Sequence, residues 1–397
     1  MPNDPTKTAL VTRGWATGVR HSGYNWGMSQ RPLAAVVLAA GEGTRMRSSR
    51  PKPLHLLCGR PMVVHVLDAL AELPIDRVVV VVGHGAERVS KLVQAHAPDG
   101  LAIEFVEQRV QRGTGDAVSV ALTGFGNEEE LEDGDIVVLP GDTPLLRPPT
   151  LAALVRAHRQ SGAAASVLTA VIDDPTGYGR IVRGKDDRVL RIVEQADAEP
   201  DELAIREVNT SIYCFRRGLL APALRRLSPE NAQGEYYLSD IAEVLADAGY
   251  PVISMVAEDA METAGVNDRA QLAVAEAELR ARTNERWMRR GVTMVDPEHT
   301  YIDAGVELAP DVTLFPGTIL RGATVVGSGA EIGPYSHLVD TVVGERAVVD
   351  YTVARQATIG DDARVGPFAS LEPGAVVPEG AVTGPHSRTR DDLPGAG

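Results

Sequence analysis

Cysteine is nearly absent: Cys58 and Cys214 are the only two in 397 residues and lie far apart in the chain. That excludes a disulfide framework and a cysteine-based zinc pattern, and it points to a reducing compartment. Positive charge is in deficit as well. Lys and Arg number 39 against 54 Asp and Glu, a formal charge of −15. Neither nucleic acid nor an anionic membrane is therefore expected as a partner, since both ask for a basic face. A phosphorylated ligand remains compatible with this balance, because a few local cations and a metal ion suffice. No eighteen consecutive apolar residues occur, which argues against a bilayer-spanning helix. Residues 1–30 carry Gly14, Gly18, Gly23 and Gly27 without periodicity and lack the apolar centre of a secretory leader. They are expected to be a disordered extension, with Met28 as an alternative start, and the protein is expected in the cytoplasm.

Two common nucleotide loops are missing too. No Walker-type Gly-Lys-Ser/Thr is found, and the third glycine of the dinucleotide fingerprint is replaced by Met46. What is present is Leu38-Ala-Ala-Gly41-Glu-Gly43-Thr-Arg45-Met46, followed closely by Pro51-Lys52-Pro53. The apolar run Ala34–Leu38 predicts a buried strand ending in a tight turn, where Gly41 and Gly43 let backbone N–H groups face an anion. Arg45 and Lys52 add two cations, one forked and one a point charge, that reach the same anion.

The length predicts two or three domains. From Arg31 the text alternates strand and helix: a helix over Met62–Leu73, an apolar strand Arg77–Val82, a turn at Gly83–Gly85 into another helix, then strands Ile103–Val106 and Ile136–Leu139. After Thr150 come a helix, a strand at Ala165–Val171, a turn over Asp173–Arg180, strands at Val189–Glu194 and Glu207–Phe215, and a helix near Leu238–Ala248. This alternation predicts a doubly wound α/β sheet over 31–267, with ligands at the carboxyl ends of its strands. The acidic run Glu128–Asp133 reads as a solvated loop. Residues 268–291, with Leu272, Ala275 and Leu279 on one face, predict a helix running to about Arg290 that connects two domains.

Over 292–382 the period changes. Ile302, Leu308, Leu314, Leu320, Val326, Ile332 and Leu338 recur every six residues; after a slip near Val343, Val353, Ile359, Val365, Leu371 and Val377 resume the period. This is the signature of a short left-handed parallel β-helix, three hexads to a turn, of roughly four and a half turns. Residues 383–397 read as a polar tail.

Within the first domain several residues are chemical candidates. Asp142 follows Gly141 at a strand end and is placed to offer a carboxylate to Mg²⁺; Asn267 is a second candidate oxygen ligand, or an N-cap for the connecting helix. Gln108, Gly113 and Thr114 surround a turn where amides can pair with a nucleobase edge, as an ordinary loop would also look. Gly179, Glu194 and Asn209 sit near strand ends where polar groups suit sugar hydroxyls.

The motifs taken together resemble those of the sugar-1-phosphate nucleotidyltransferases. The chain is most similar to the uridylyltransferase half of the bacterial N-acetylglucosamine-1-phosphate uridylyltransferases, which are often fused to an acetyltransferase. The carrying stretches are Leu38–Met46, Gln111–Gly115, Gly141–Leu145, Pro175–Ile181, Val193-Glu194, Val208–Thr210, Asn231–Asp240 and Gly265–Asn267. The resemblance implies a Rossmann-like nucleotidyltransferase domain followed by the β-helix. It implies that Leu38, Ala39, Ala40 and Gly41 line the nucleotide, that Arg45 and Lys52 hold phosphates and carry the catalysis, and that Gln108, Gly113 and Thr114 read uracil. It further implies that Asp142, after Gly141, and Asn267 hold Mg²⁺, and that Gly179, Glu194 and Asn209 bind the amino-sugar. The expected substrates are UTP and an amino-sugar 1-phosphate, and the expected assembly is a homotrimer. Two departures stand out. Ala196 replaces a frequent Lys in the sugar site, which leaves glucose 1-phosphate or dTTP as alternatives, beside a non-catalytic sugar-nucleotide binder. The Lys, His-x-x-Tyr and Asn-Tyr-Asp-Gly features of acetyl transfer are missing, and Ser370 and Glu372 stand where relatives carry Arg. Acetyltransferase activity is expected to be absent.

Overall fold

The computed structural model describes residues 31–125, 134–184 and 187–388. The proposed extension 1–30 and the acidic run Glu128–Asp133 lie outside the described residues, as does the end of the chain from 389.

The central sheet grows from strands too apolar to face water. β1 (Leu33–Ala39) and β2 (Arg77–Val82) are buried almost throughout, as a parallel strand covered on both faces must be. Around them lie β3 (Ile103–Glu107), β4 (Asp135–Pro140), β5 (Ala165–Val171), β6 (Arg180–Arg183), β7 (Val189–Val193), β8 (Glu207–Arg216) and β9 (Val252–Val256). The order is β9-β5-β8-β4-β1-β2-β3, with β6 paired to β8 and β7. β8 runs antiparallel to both β4 and β5. The helices α1 (Met62–Ala71), α2 (Ala86–His96), α3 (Thr114–Thr123), α4 (Pro148–Ser161), α5 (Arg217–Leu224) and α6 (Ile241–Asp247) connect the strands. Two helix boundaries differ from the sequence reading. α4 begins at Pro148, because proline tolerates the first helical turn, where its missing N–H has no partner to lose. The helix expected over Leu238–Ala248 opens with a 3₁₀ turn, Leu238–Asp240, before α6.

The long helix α7 (Arg269–Met288) is more than a connector. Ala275 packs in a small core with Leu57, Met62, Leu145 and Val266, while Trp287 belongs to the interior of the following domain. Buried Asn284 donates from Nδ2 to the carbonyls of Pro297 and Thr300 at 2.7 and 2.9 Å, tying the helix to the first coil.

The β-helix consists of three parallel sheets of five short strands each, stacked from Thr293–Met294 to Val376–Val377. The hexad residues from Ile302 to Leu338 all point inward. Beyond them Val353 is 39% exposed and Ala354 is buried in its place, a correction at that one position, since Ile359, Val365, Leu371 and Val377 are buried as expected. The steps Leu338 to Val343, Val349 to Ala354 and Ala354 to Ile359 each span five residues, so a one-residue shortening moves every later inward position. The boundary at Thr383 is corrected as well. Thr383 is buried, and Val382 and Arg388 bridge in parallel to Arg364 and Ser370, so residues 382–388 begin another coil.

Candidate functional site

The site forms where the strand order reverses. β1 lies between β2 and β4, and Leu38 is in register with Pro140. The Gly141 N–H donates to the Leu38 carbonyl at 2.8 Å, so the loops after β1 and β4 leave the sheet side by side. A crevice at such a switch point is where an open α/β sheet holds its ligand. It has a volume of about 680 Å³.

The turn after β1 depends on Gly43. Its φ is +63°, and a Cβ there would stand 2.5 Å from Cβ of Lys52. Gly41 differs from expectation: a Cβ would meet nothing, so packing does not demand a glycine there. Buried Met46 anchors the 3₁₀ turn that carries Arg45, and buried Leu54 anchors the one that carries Lys52.

Four side chains from distant segments meet here. Asn267 Oδ1 accepts from Arg45 Nη2 at 3.0 Å and from Lys52 Nζ at 2.8 Å, and Lys52 Nζ also pairs with Asp142 Oδ2. The helix cap is Asp268, whose Oδ1 accepts from the Gln271 N–H at 2.8 Å. Of the two roles open to Asn267, the cap thus falls to its neighbour, and the Asn267 carbonyl faces the crevice. The Lys52 ammonium marks where a cation sits between a carboxylate and an amide oxygen. Both are hard donors of the kind Mg²⁺ takes from a protein while water and phosphate fill the rest. Among the described residues no group of three or more His, Cys, Asp or Glu is placed to hold a metal. The donor set therefore fits a hard cation shared with a substrate.

Further along the crevice, Gln108 is buried, and its amide nitrogen donates to Asp116 Oδ2 at 2.8 Å and to the Gly113 carbonyl at 3.2 Å. With both amide protons engaged, its carbonyl oxygen is what remains to accept from a ligand. Gly113 has φ +108°, and a Cβ would lie 2.5 Å from the Tyr236 carbonyl. That close approach staples the loop to the 235–238 segment: Gly115 N donates to Tyr236 O at 2.8 Å, and Leu238 N to Thr114 Oγ1 at 3.0 Å.

Asn209 also lines the crevice, at a bulge of β8 where Ser211 takes φ +61° and donates to Asn209 Oδ1 at 3.0 Å. Leu38, Ala39, Ala40, Gly41, Arg45, Lys52, Gln108, Gly113, Thr114, Gly141, Asp142, Asn209 and Asn267 all line one crevice. Gly179 and Glu194 do not line it. Glu194 lies directly beneath Gly179, 3.3 Å from where a Cβ would be, and accepts from Ser239 Oγ at 2.8 Å. Burial pushes its carboxyl up from the ordinary range, more than the Ser239 bond lowers it.

Sequence reasoning missed the loop over the crevice. Thr176, Gly177 and Tyr178 line it, held from behind by buried Arg180, which donates to the Tyr178 carbonyl and, at 2.9 Å, to Gln195 Oε1. Gln195 Oε1 accepts from the Gly177 N–H as well, at 3.0 Å. The Tyr178 phenol is raised by burial and then by the charge of Asp142. The sequence signal is the turn over Asp173–Arg180 and the motif Pro175–Ile181 within it, neither of which places 176–178 over the crevice.

The nucleotidyl transferase family matches this chain over residues 34–288. Among curated proteins, the chain is similar to the bifunctional protein GlmU of Exiguobacterium sibiricum, 46% identical over 343 residues, which cover 86% of this chain and 74% of that one. The bifunctional protein GlmU of Thermobifida fusca is 48% identical over 332 residues, covering 84% and 68% of the two chains. That of Streptomyces avermitilis is 46% identical over 368 residues, covering 92% and 75%.

Proposed function

The chain belongs to the nucleotidyl transferase family and, within it, to the GlmU proteins, and on that premise we propose that the crevice transfers a uridylyl group from UTP to N-acetylglucosamine 1-phosphate. It is an enzyme of nucleotidyl transfer. The observation that supports the reading most is the convergence of Arg45, Lys52, Asp142 and Asn267 on one point of the crevice.

In this reading an oxygen of the sugar phosphate attacks the α-phosphorus in line, the bond to the bridging oxygen breaks, and pyrophosphate leaves. The nucleophile is already an anion, so no general base is required. The protein acts by positioning and by charge. Arg45 and Lys52 offset charge that builds on the departing phosphates. Gln108 Oε1 accepts from the imide N–H of uracil, with Gly113 and Thr114 closing the base end. Asn209 and the 176–178 loop hold the amino-sugar, and Glu194 supports that loop from beneath Gly179. Family membership carries a divalent cation; Mg²⁺, held by Asp142 and Asn267, would supply Lewis-acid relief of phosphate charge.

For the coils in hand we propose no acetyl transfer. Glu372 follows inward-facing Leu371 and is exposed, so it presents a carboxylate on the outer face. A substrate panel tests both halves. With UTP, pyrophosphate release is expected with N-acetylglucosamine 1-phosphate and at least tenfold less with glucose 1-phosphate; with acetyl-CoA and glucosamine 1-phosphate no thiol is released. Preference for another sugar phosphate would leave the family reading intact and remove the named product.

We also propose that copies associate as a homotrimer through the β-helix. Val325, Val342 and Val376 are exposed on one sheet, in one register with Thr358 between the last two, a mostly apolar row that favours burial against another copy. Sedimentation at micromolar concentration is expected to show three chains; a monomer would remove the proposal.

A further inference from the structure

A second cavity, of about 460 Å³, shares none of its lining residues with the crevice. It lies where the hairpin Leu56–Pro61 and the first turns of α7 meet the opening coils of the β-helix. Its walls are fixed to one another. The Ala304 N–H donates to the Cys58 carbonyl at 2.8 Å, and Gly59 lacks the Cβ that would collide with the Asp303 carboxylate.

Four charged side chains line it: Arg269 and Glu276 from α7, Asp303 and Arg321 from the β-helix. The two carboxylates already have partners. Glu276 Oε2 accepts from the Cys58 N–H at 2.8 Å, and Asp303 Oδ2 from the Gly322 N–H at 3.1 Å. The cations are less engaged. Among the described residues Arg269 donates only from Nε, to the Met46 carbonyl at 3.2 Å, and the exposed Arg321 guanidinium is near enough to attract the Asp303 charge but makes no hydrogen bond. The two guanidiniums match the two carboxylates in charge, but they leave most of their N–H groups unbonded to described residues, and such forks suit a phosphate. Leu56, 45% exposed, and Leu272 give it an apolar wall for a carbon skeleton, and the free lone pairs of Glu276 and Asp303 accept from hydroxyls.

Arg269 lines the cavity and reaches the backbone next to the crevice. Met46, whose carbonyl it holds, follows Arg45 in the phosphate turn, and Asn267 lies two residues before it. We propose that this cavity binds the phosphate monoester of a hydroxylated carbon skeleton, such as a sugar phosphate, and that the occupant draws Arg269 away from Met46 and weakens triphosphate binding in the crevice. The coupling rests on the function proposed above; the binding does not. By linkage the two ligands oppose each other by the same factor, so the effect reaches a ceiling instead of abolishing binding.

Glucose 6-phosphate is a suitable probe, because it carries no phosphate on the anomeric oxygen and so lacks the proposed nucleophile. Calorimetry on the full chain is expected to show a binding site in the unmodified protein whose affinity falls at least tenfold in Arg321→Ala. In turnover assays the KM for UTP is expected to rise with glucose 6-phosphate to a plateau about fivefold or more above its starting value, while Arg321→Ala keeps the same KM throughout and the same basal rate. Equal binding by both proteins overturns the cavity. A KM that climbs without limit in both, as for competition in the crevice, overturns the coupling. If no uridylyl transfer is found at all, the function proposed above fails, and the calorimetric comparison still decides the cavity.

Discussion

Replacing Asp142 with alanine is expected to lower the rate of pyrophosphate release by about three orders of magnitude or more, with the fold retained. The carboxylate emerges past the end of β4, and its partner in the crevice is Lys52 Nζ. Two roles fit that contact and predict opposite outcomes. If Asp142 only parks Lys52 between turnovers, its removal frees a cation for phosphate, and the rate stays level or rises. If it supplies one of the two hard oxygens for the cation that relieves phosphate charge, its removal leaves Asn267 alone and kcat collapses. Asp142→Asn sharpens the distinction, since it keeps an oxygen and loses the charge; an intermediate rate is expected. The backbone should not suffer, because Val266 N donates to the Asp142 carbonyl and not to its side chain. A thermal melt of each variant within a few degrees of the parent, beside the pyrophosphate assay, separates lost chemistry from lost structure. An unchanged rate would remove the metal-ligand role.

Which features were legible from sequence follows from the range of the forces behind them. β2 is legible to the residue, because a short run of consecutive β-branched valines suits a buried parallel strand and not a helix. The hexads were equally plain as far as Leu338, since each inward residue stands a fixed step from the last. Val353 is misread because the coil from Leu338 to Ala354 is two residues short, which is invisible until stacking shows that Ala354 fills the interior. The crevice was legible where one segment carries its own geometry, as at Gly43 and Lys52. It was not legible where a residue works across the chain. Asp268 and Asn267 are adjacent polar residues, and only the bond to Gln271 N separates cap from ligand candidate. Gln195 and buried Arg180 shape the 176–178 loop from behind, through contacts no local pattern announces. Glu194 is legible only as a polar residue near Gly179; that it lies beneath that glycine follows from packing, which sets side-chain direction at an irregular strand end.

The second large effect is expected at the opposite end of β4. Asp135 opens that strand, is almost wholly buried, and its Oδ2 accepts from Arg159 Nε at 2.7 Å, with His158 Nε2 at 3.5 Å from Oδ1. His158 Nδ1 lies 2.8 Å from Ser166 Oγ on β5, so the cluster joins α4 to two strands. The 3.5 Å contact is too long to be a strong hydrogen bond, and the Arg159 bond carries most of the attraction. Burial acts to raise the Asp135 carboxyl, but the contacts with His158 and Arg159 outweigh it and hold the group below its ordinary value. Asp135→Asn removes the buried carboxylate that Arg159 and His158 both contact, in a site where the Arg159 side chain is 11% exposed and Asp135 is fully buried. A broken buried pair of this kind costs about 3–5 kcal/mol, on the order of 10 °C in melting temperature. The pH dependence fixes the cause. A carboxyl whose native pKa is depressed contributes stability above the pKa it has when unfolded, and that contribution fades as pH falls through the native value. The gap between parent and variant is therefore widest near neutral pH and narrows in acid, below about pH 4. A gap that stayed constant with pH would assign the loss to packing and not to charge. Because the cluster lies a full strand away from Asp142, the KM for UTP is expected to be unchanged at temperatures where both proteins are folded; that result would leave one strand with a stabilising carboxylate at its start and the proposed metal ligand beyond its end.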